Sequence, residues 1–304
     1  MKNKNYSTRS IWTVQIFIGT LVLVLLCLHL LAQDNSIPAS KEPLLASAAG
    51  FSAFNHPDII KYPDEELILS QRHQPTSSRI ERLEQLARND HIALLKWSLE
   101  NYQKNIRDYT TSFSKQERIN GKLKPIQEMS VCFKEQPFSL LMEWEKNAGV
   151  IDKLLYVEGS YDNQMIVHPT GIFSWVKSVK RQPDCKKARE SNLRTCDQFG
   201  FARNLKNLLR IYDRAQKKND LRTNFLGINE VLGRRCITIE RILPPRKNYP
   251  DARMVINLDV ENLLPIDLTS YDWQGNLISR YTYGDLKVNT GLTDNNFLPQ
   301  TNQL

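Results

Sequence analysis

The sequence predicts a mainly β fold (α+β) of about eleven antiparallel strands, and three observations predict it. After position 108 apolar residues recur at every second position in short runs. The runs are separated by turn signals, and crossover helices are lacking between most of them, which excludes a parallel sheet. Helical spacing is confined to two stretches before the strands and one among them. So many strands bury one face only by curling or closing.

The elements follow in order. In Ser77-Ser78-Arg79-Ile80-Glu81 a serine cap is followed three residues on by glutamate, and Ile80, Leu83 and Leu86 recur at helical spacing, so a short helix begins there. Asn89 or Asp90 can cap a second helix, whose stripe of Leu94, Leu95, Trp97, Leu99 and Tyr102 ends before Ile106. The period then becomes two: Tyr109, Thr111 and Phe113 run toward Asn120-Gly121, a hairpin signal, and the chain returns through Met129, Val131 and Phe133. Phe138, Leu140, Met142 and Trp144 form the cleanest alternation, and shorter strands are expected at 154–157, 165–168 and 172–176. A basic segment follows, with a polar loop between Cys185 and Cys196 and a helix whose stripe is Phe201, Leu205, Leu208, Leu209 and Tyr212. Strands resume at 221–229, 236–243, 253–260, 264–272 and 277–286, the last two joined by a turn at Asp272-Trp273-Gln274-Gly275-Asn276.

The first 32 residues set the compartment. Lys2, Lys4 and Arg9 precede an apolar run at 11–32 that only Gln15 and His29 interrupt. The run exceeds the roughly 7–15 residues of a cleavable core and reaches the roughly 20 that span a bilayer, so an uncleaved anchor is preferred over a signal peptide cut near Ala32. Cations on the N-terminal side place everything after residue 33 outside the cytoplasm. Residues 33–76, rich in Ser, Ala, Pro, Asn and Asp, read as a tether, and 77–304 as one domain with a basic insertion at 177–218. Cys27 follows Leu26, where a lipidation site would want a small residue.

The formal charge of +8 is local: 177–218 holds 13 Lys and Arg against 4 Asp and Glu, and the rest of the exported part is acidic. Compartment and the lack of an aromatic-basic single-strand motif exclude nucleic acid as a partner. Lys206, Arg210, Arg214, Lys217 and Lys218 on one helix face are the candidate contacts to an anionic membrane surface or an envelope protein. Four cysteines would be exported. Cys185 and Cys196 bracket a short polar loop and are expected to form a disulfide; Cys132 and Cys236 read equally as a second bond between neighbouring strands or as two buried thiols.

Three stretches carry a family resemblance. They are Ile106-Arg107-Asp108-Tyr109-Thr110-Thr111-Ser112-Phe113 with Glu117-Arg118-Ile119-Asn120-Gly121-Lys122-Leu123, then Gln136-Pro137-Phe138-Ser139 with Leu155-Tyr156-Val157-Glu158-Gly159. The third is C-terminal: Leu264-Pro265-Ile266, Tyr271-Asp272-Trp273, Tyr281-Thr282-Tyr283 and Gly291-Leu292-Thr293-Asp294. Together they resemble an uncharacterised family of exported bacterial proteins, over roughly residues 90–299. The order of leading helix, strand meander, Leu-Leu-Pro and Asp-x-x-Gly-Asn is similar, more remotely, to the periplasmic lipoprotein carrier (LolA-like) and envelope-stress regulator superfamily. That resemblance implies a strongly bent antiparallel sheet, or half-barrel, of about eleven strands with helices on its concave side, and a lipid or lipidated protein held there. The basic insertion is an addition to that pattern and reads as a docking element.

No Gly-x-Ser-x-Gly elbow, His-Glu-x-x-His pair, phosphate-cradling loop or calcium loop occurs in the sequence, so no catalytic residue, metal or cofactor is assigned. A hydrolase would need His91 or His168 beside a carboxylate. Glu143, Glu145, Glu158 and Glu240 read as outer-face residues. Phe113, Met129, Phe133, Phe138, Leu140, Met142, Trp144 and Met165 are the candidate lining of an apolar cavity, or else ordinary core. The leading expectation is a non-enzymatic extracytoplasmic binding protein holding a lipid or lipidated protein in that concavity. The alternative is an envelope sensor or scaffold whose cavity is filled by its own helices.

Overall fold

A computed structural model of the chain describes residues 77–304; the expected leader and tether lie outside the described residues. Helix α1 (Ser77–Asn89) and helix α2 (His91–Asn105) are separated only by Asp90, whose side chain accepts the Ala93 amide at 2.9 Å and starts the second helix. The strands are β1 (Asp108–Ile119), β2 (Lys122–Leu123), β3 (Gln127–Lys134), β4 (Ser139–Lys146), β5 (Ile151–Val157), β6 (Met165–Pro169) and β7 (Val179–Arg181). After helices α3 (Lys186–Ser191) and α4 (Phe201–Lys217) come β8 (Arg222–Val231), β9 (Arg234–Ile242), β10 (Arg253–Asp259), β11 (Pro265–Tyr271) and β12 (Leu277–Val288).

These strands make one open antiparallel sheet of twelve, in the order β7-β6-β5-β4-β3-β1-β12-β11-β10-β9-β8, with β2 paired to β1. The count exceeds eleven because the two-residue β2 and three-residue β7 are too short to show a period. One expected strand is corrected. Residues 172–176 form a 3-10 turn and a second turn, closed by the Ser174 amide on the Gly171 carbonyl and the Val176 amide on the Phe173 carbonyl. Their alternation is that of side chains pointing into solvent, and the strand lies further on, at β7.

The register fixes the faces. Tyr109 stands opposite Phe133, Thr111 opposite Val131 and Phe113 opposite Met129, while Phe133, Val131 and Met129 stand opposite Leu140, Met142 and Trp144. One contiguous buried cluster draws side chains from β1, β3 to β6, β9 to β12, and from α1, α2 and α4. Strands of both halves of the sheet thus close on the same helices, and the sheet bends around them. The opposite face is covered only in part: Leu141, Leu155, Val157 and Ile166 are buried beneath Phe297, Leu292 and Leu304 of the C-terminal segment.

The connection between β7 and β8 decides what the concave face holds. These two strands are consecutive in the chain but lie at opposite edges of the sheet, so residues 182–221 cross the whole concave face. This strap carries α3 and α4 and holds most of the basic insertion at 177–218, whose first residues form the end of the 170–178 loop and β7. Its α4 buries Phe201, Leu205, Leu208 and Tyr212 against the sheet and exposes Lys206, Arg210 and Lys217, with Arg214 half-buried and Lys218 exposed at the cap that follows.

Candidate functional site

The candidate site is the concave face. Seven of the eight expected lining residues, Phe113, Met129, Phe133, Phe138, Leu140, Met142 and Met165, are buried, and Trp144 is half-buried. The structure brings all eight onto one cluster. The strap and helices lie over it. Phe201 of α4 stands 4.5 Å from the Tyr283 ring and 5.0 Å from Tyr109; Tyr109 stacks on Phe133 at 4.8 Å; Phe199 meets Phe113 edge-on at 5.2 Å. Gly200 enters α4 at φ +99°, and a Cβ there would lie 2.9 Å from Cζ of Phe133. Only glycine lets the strap backbone approach the sheet that closely.

Two open clefts, of about 320 and 330 Å3, lie on the described residues, and none of the eight residues lines either. The larger opens beside Lys115 and Glu117, toward the end of β1. These two continue the inward register of Tyr109, Thr111 and Phe113, so polar groups line the concave face there. Tyr281 donates to Glu117 at 2.6 Å, the Leu193 amide donates to the other Glu117 oxygen at 3.3 Å, and Lys115 donates to Asn192. Burial pulls the Lys115 ammonium below the ordinary lysine range. The alternation beyond Phe113 was the sequence signal that could have placed these two residues inside.

The expected disulfide is not formed. Cys185 and Cys196 are free thiols: Cys196 turns inward toward the Met165 sulfur, 3.8 Å away, and burial pushes its thiol up to about 12. Cys132 on β3 and Cys236 on β9 are five strands apart, roughly 24 Å along the sheet, and they too are separate thiols. Among the described residues no group of three or more His, Cys, Asp or Glu could hold a metal ion. The carboxylates are engaged elsewhere: Glu143 with Lys153 at 2.9 Å, Glu158 with Arg203 at 3.1 Å, and Glu240 with Arg253 and Asn224. Glu145 is exposed. His168 does stand beside a carboxylate, with Nδ1 2.6 Å from Asp152, but its Nε2 faces the Ser174 carbonyl at 3.2 Å. Both ring nitrogens are committed to holding a loop.

A buried polar row escaped the sequence reading. His91 of α2, Tyr212 of α4 and Arg241 of β9 lie in sequence across the core: the His91 and Tyr212 rings are 6.2 Å apart, and the Arg241 guanidinium carbon is 5.3 Å from the Tyr212 centroid. His91 Nε2 meets the Ala87 carbonyl at 2.7 Å, and its Nδ1 has no partner. Burial lowers the His91 pKa, against smaller upward effects from Ala87 and Asp90. The folded state keeps the ring neutral while the unfolded chain takes up a proton near pH 6.5, so this contribution to stability is present above pH 6.5 and is lost as pH falls from there toward the folded pKa. Urea midpoints are expected to fall between about pH 7.5 and 5, and His91→Phe to flatten that slope. An unchanged slope would place the loss on other groups.

Comparison with solved structures finds distant likenesses. The Pseudomonas aeruginosa MucA/MucB complex matches at 13% identity, over 69% of this chain and 60% of that chain, with a TM-score of 0.41. A LolA superfamily protein from Nitrosomonas europaea matches at 10% identity, over 67% and 97% of the two chains, with a TM-score of 0.32. The Mycobacterium tuberculosis lipoprotein LppX matches at 10% identity, over 66% and 96%, with a TM-score of 0.38. The chain spans about 62% of the length of MucB in its own crystal structure. No curated protein matches. The family described as "Protein of unknown function (DUF1571)" matches residues 106–303, from the end of α2 to the last turn. The chain is therefore a member of the DUF1571 family.

Proposed function

We propose that the chain is a non-enzymatic extracytoplasmic binding protein that works through contacts on its surface, its concavity being occupied by its own strap. The observation that carries this reading is the burial of seven of the eight candidate lining residues in the cluster that α4 joins, with Phe199 and Phe201 of the strap packed on Phe113 and Tyr109. Side chains of the strap stand where an acyl chain would lie. The extracytoplasmic placement rests on the cationic start and the apolar run at 11–32. The exposed cations Lys206, Arg210, Lys217 and Lys218, with Arg214 beside them, offer an acidic envelope partner a surface.

A second reading has one observation in its favour. Tyr212 Oη and the Nε and Nη1 of Arg241 lie under the strap without partners, and buried unpaired groups weaken the interface they belong to. A strap held less firmly could lift and admit a lipid or lipidated protein, as the sequence resemblance implies. Native mass spectrometry with organic extraction, on protein purified from an exporting host, separates the two. The expected result is an empty protein that stays empty with added phospholipid. A co-purifying lipid of defined mass, lost on Leu140→Asp or Met142→Trp, would overturn the surface-contact reading in favour of the carrier.

A further inference from the structure

The exposed apolar side chains are not scattered. Among the described residues the three most exposed large ones, Trp175 at 79%, Ile172 at 75% and Phe173 at 56%, fall within one run of four positions. The sheet register gathers others beside them. β1 ends, β3 begins, β4 ends, β5 begins and β6 ends at the same end of the sheet, so the hairpin bearing Leu123 and Ile126, the turn bearing Val150 and the 170–178 loop share that end. All six of these side chains are exposed.

The loop is built rather than slack. The Thr170 amide donates to the Val150 carbonyl at 3.0 Å and its hydroxyl to the Gly149 carbonyl at 2.8 Å. Two turns close within 171–176, and His168 ties the Ser174 carbonyl back to β6. Isoleucine, phenylalanine and tryptophan are thus held in water by an ordered scaffold, which is the arrangement of a contact surface and not of a core. Charge selects the occupant. Lys122, Lys124, Lys177 and Lys187 are exposed on the same hairpin, loop and strap. Of the acids nearby, Glu128 pairs with Lys146 at 3.2 Å, Glu190 faces Lys186 at 3.7 Å and Asp152 is hydrogen-bonded to His168, while Glu145 at the end of β4 is exposed.

We infer that this end of the sheet docks on an anionic lipid bilayer, with Ile172, Phe173 and Trp175 entering the interface and the lysines meeting phosphate headgroups. Tryptophan beside lysine is the pairing that a membrane interface favours, with an apolar body buried and a polar edge at headgroup level. Cations near an anionic surface add attraction without needing a shaped partner. The apolar run at 11–32 brings a bilayer within range, because the 44 residues between it and α1 set an upper reach of roughly 150 Å. The inference does not depend on what fills the concavity.

The test uses the full chain reconstituted into vesicles of phosphatidylcholine with phosphatidylglycerol, and of phosphatidylcholine alone, both made with shallow-brominated acyl chains. Bromine quenches only a tryptophan that reaches it, and the difference between wild type and Trp175→Phe isolates Trp175 from Trp12 and the others. Trp175 emission is expected to be blue-shifted and quenched in the anionic vesicles. That quenching should be lost in Ile172→Ser/Phe173→Ser and reduced in Lys177→Gln/Lys187→Gln and in phosphatidylcholine alone. These side chains are exposed, so unchanged thermal unfolding serves as the folding control. Water-like, unquenched Trp175 emission in both vesicles would overturn the inference. So would a blue shift that grows with protein concentration without quenching, since that marks a second copy of the chain on the patch. Quenching that survives Ile172→Ser/Phe173→Ser would refute insertion by this loop.

Discussion

Arg241→Ala is expected to lower the unfolding free energy by about 3–5 kcal/mol, the loss typical of breaking a buried ion pair by removing one partner. Arg241 is fully buried and Asp251 is 2% exposed. One guanidinium nitrogen spans both carboxylate oxygens, at 2.6 and 2.8 Å. Alanine would leave the Asp251 carboxylate in the core without its counter-charge and would open a void beside Tyr212. Asp251→Ala should cost a similar amount for the mirror reason. Arg241→Met with Asp251→Leu removes both charges at nearly conserved volume and should recover most of the loss. Urea unfolding of wild type, the two alanine variants and Arg241→Ala/Asp251→Ala completes the cycle, and the coupling between the sites is the quantity to read. Additive single effects in that cycle would mean that water reaches the pair and screens it.

That pair also shows where the sequence stops being informative. The alternation that identifies β1, β3 and β4 is set by one apolar face against one polar face, and it groups Phe113, Met129, Phe133, Leu140 and Met142 on one face, as the register does. The cap at Asp90, the turn at Asn120-Gly121 and the stripe of α4 were legible for the same reason: each rests on neighbours within a few residues. Arg241 was not legible, because a charged residue inside a strand reads as an outer-face position unless its distant partner is known. The strap was hidden by the same limit. Nothing local to Gln182 or Leu221 says that the strands they leave and enter are at opposite edges of a twelve-stranded sheet. The cysteines illustrate a third case: spacing made Cys185 and Cys196 natural partners, and the inward turn of Cys196 toward Met165 belongs to packing that spacing does not encode.

Phe201→Ala is expected to cost about 3–5 kcal/mol, the range for truncating a buried aromatic, because its fully buried ring meets Tyr283, Tyr109 and Tyr102. The size of that loss matters less than its distribution. If the strap is one cooperative unit with the sheet, native-state hydrogen exchange should show α4 amides opening at the same free energy as those of β1 and β12, in wild type and variant alike. The self-filled reading requires this outcome, since a concavity that never empties is simply core. If the amides of α4 open well below the global value, and Phe201→Ala lowers that local opening while leaving β1 and β12 unchanged, the strap is a separable cover. A hydrophobic dye should then bind the variant under native conditions, at the surface of Phe133, Leu140 and Met142 that α4 vacates. The unpaired Tyr212 hydroxyl and Arg241 nitrogens under the strap bias the balance toward separation, whereas the aromatic contacts around Phe201 and the close approach at Gly200 bias it toward unity. The aromatic contacts involve more buried area, each ring burying on the order of 150–250 Å2, so the cooperative outcome is the expected one.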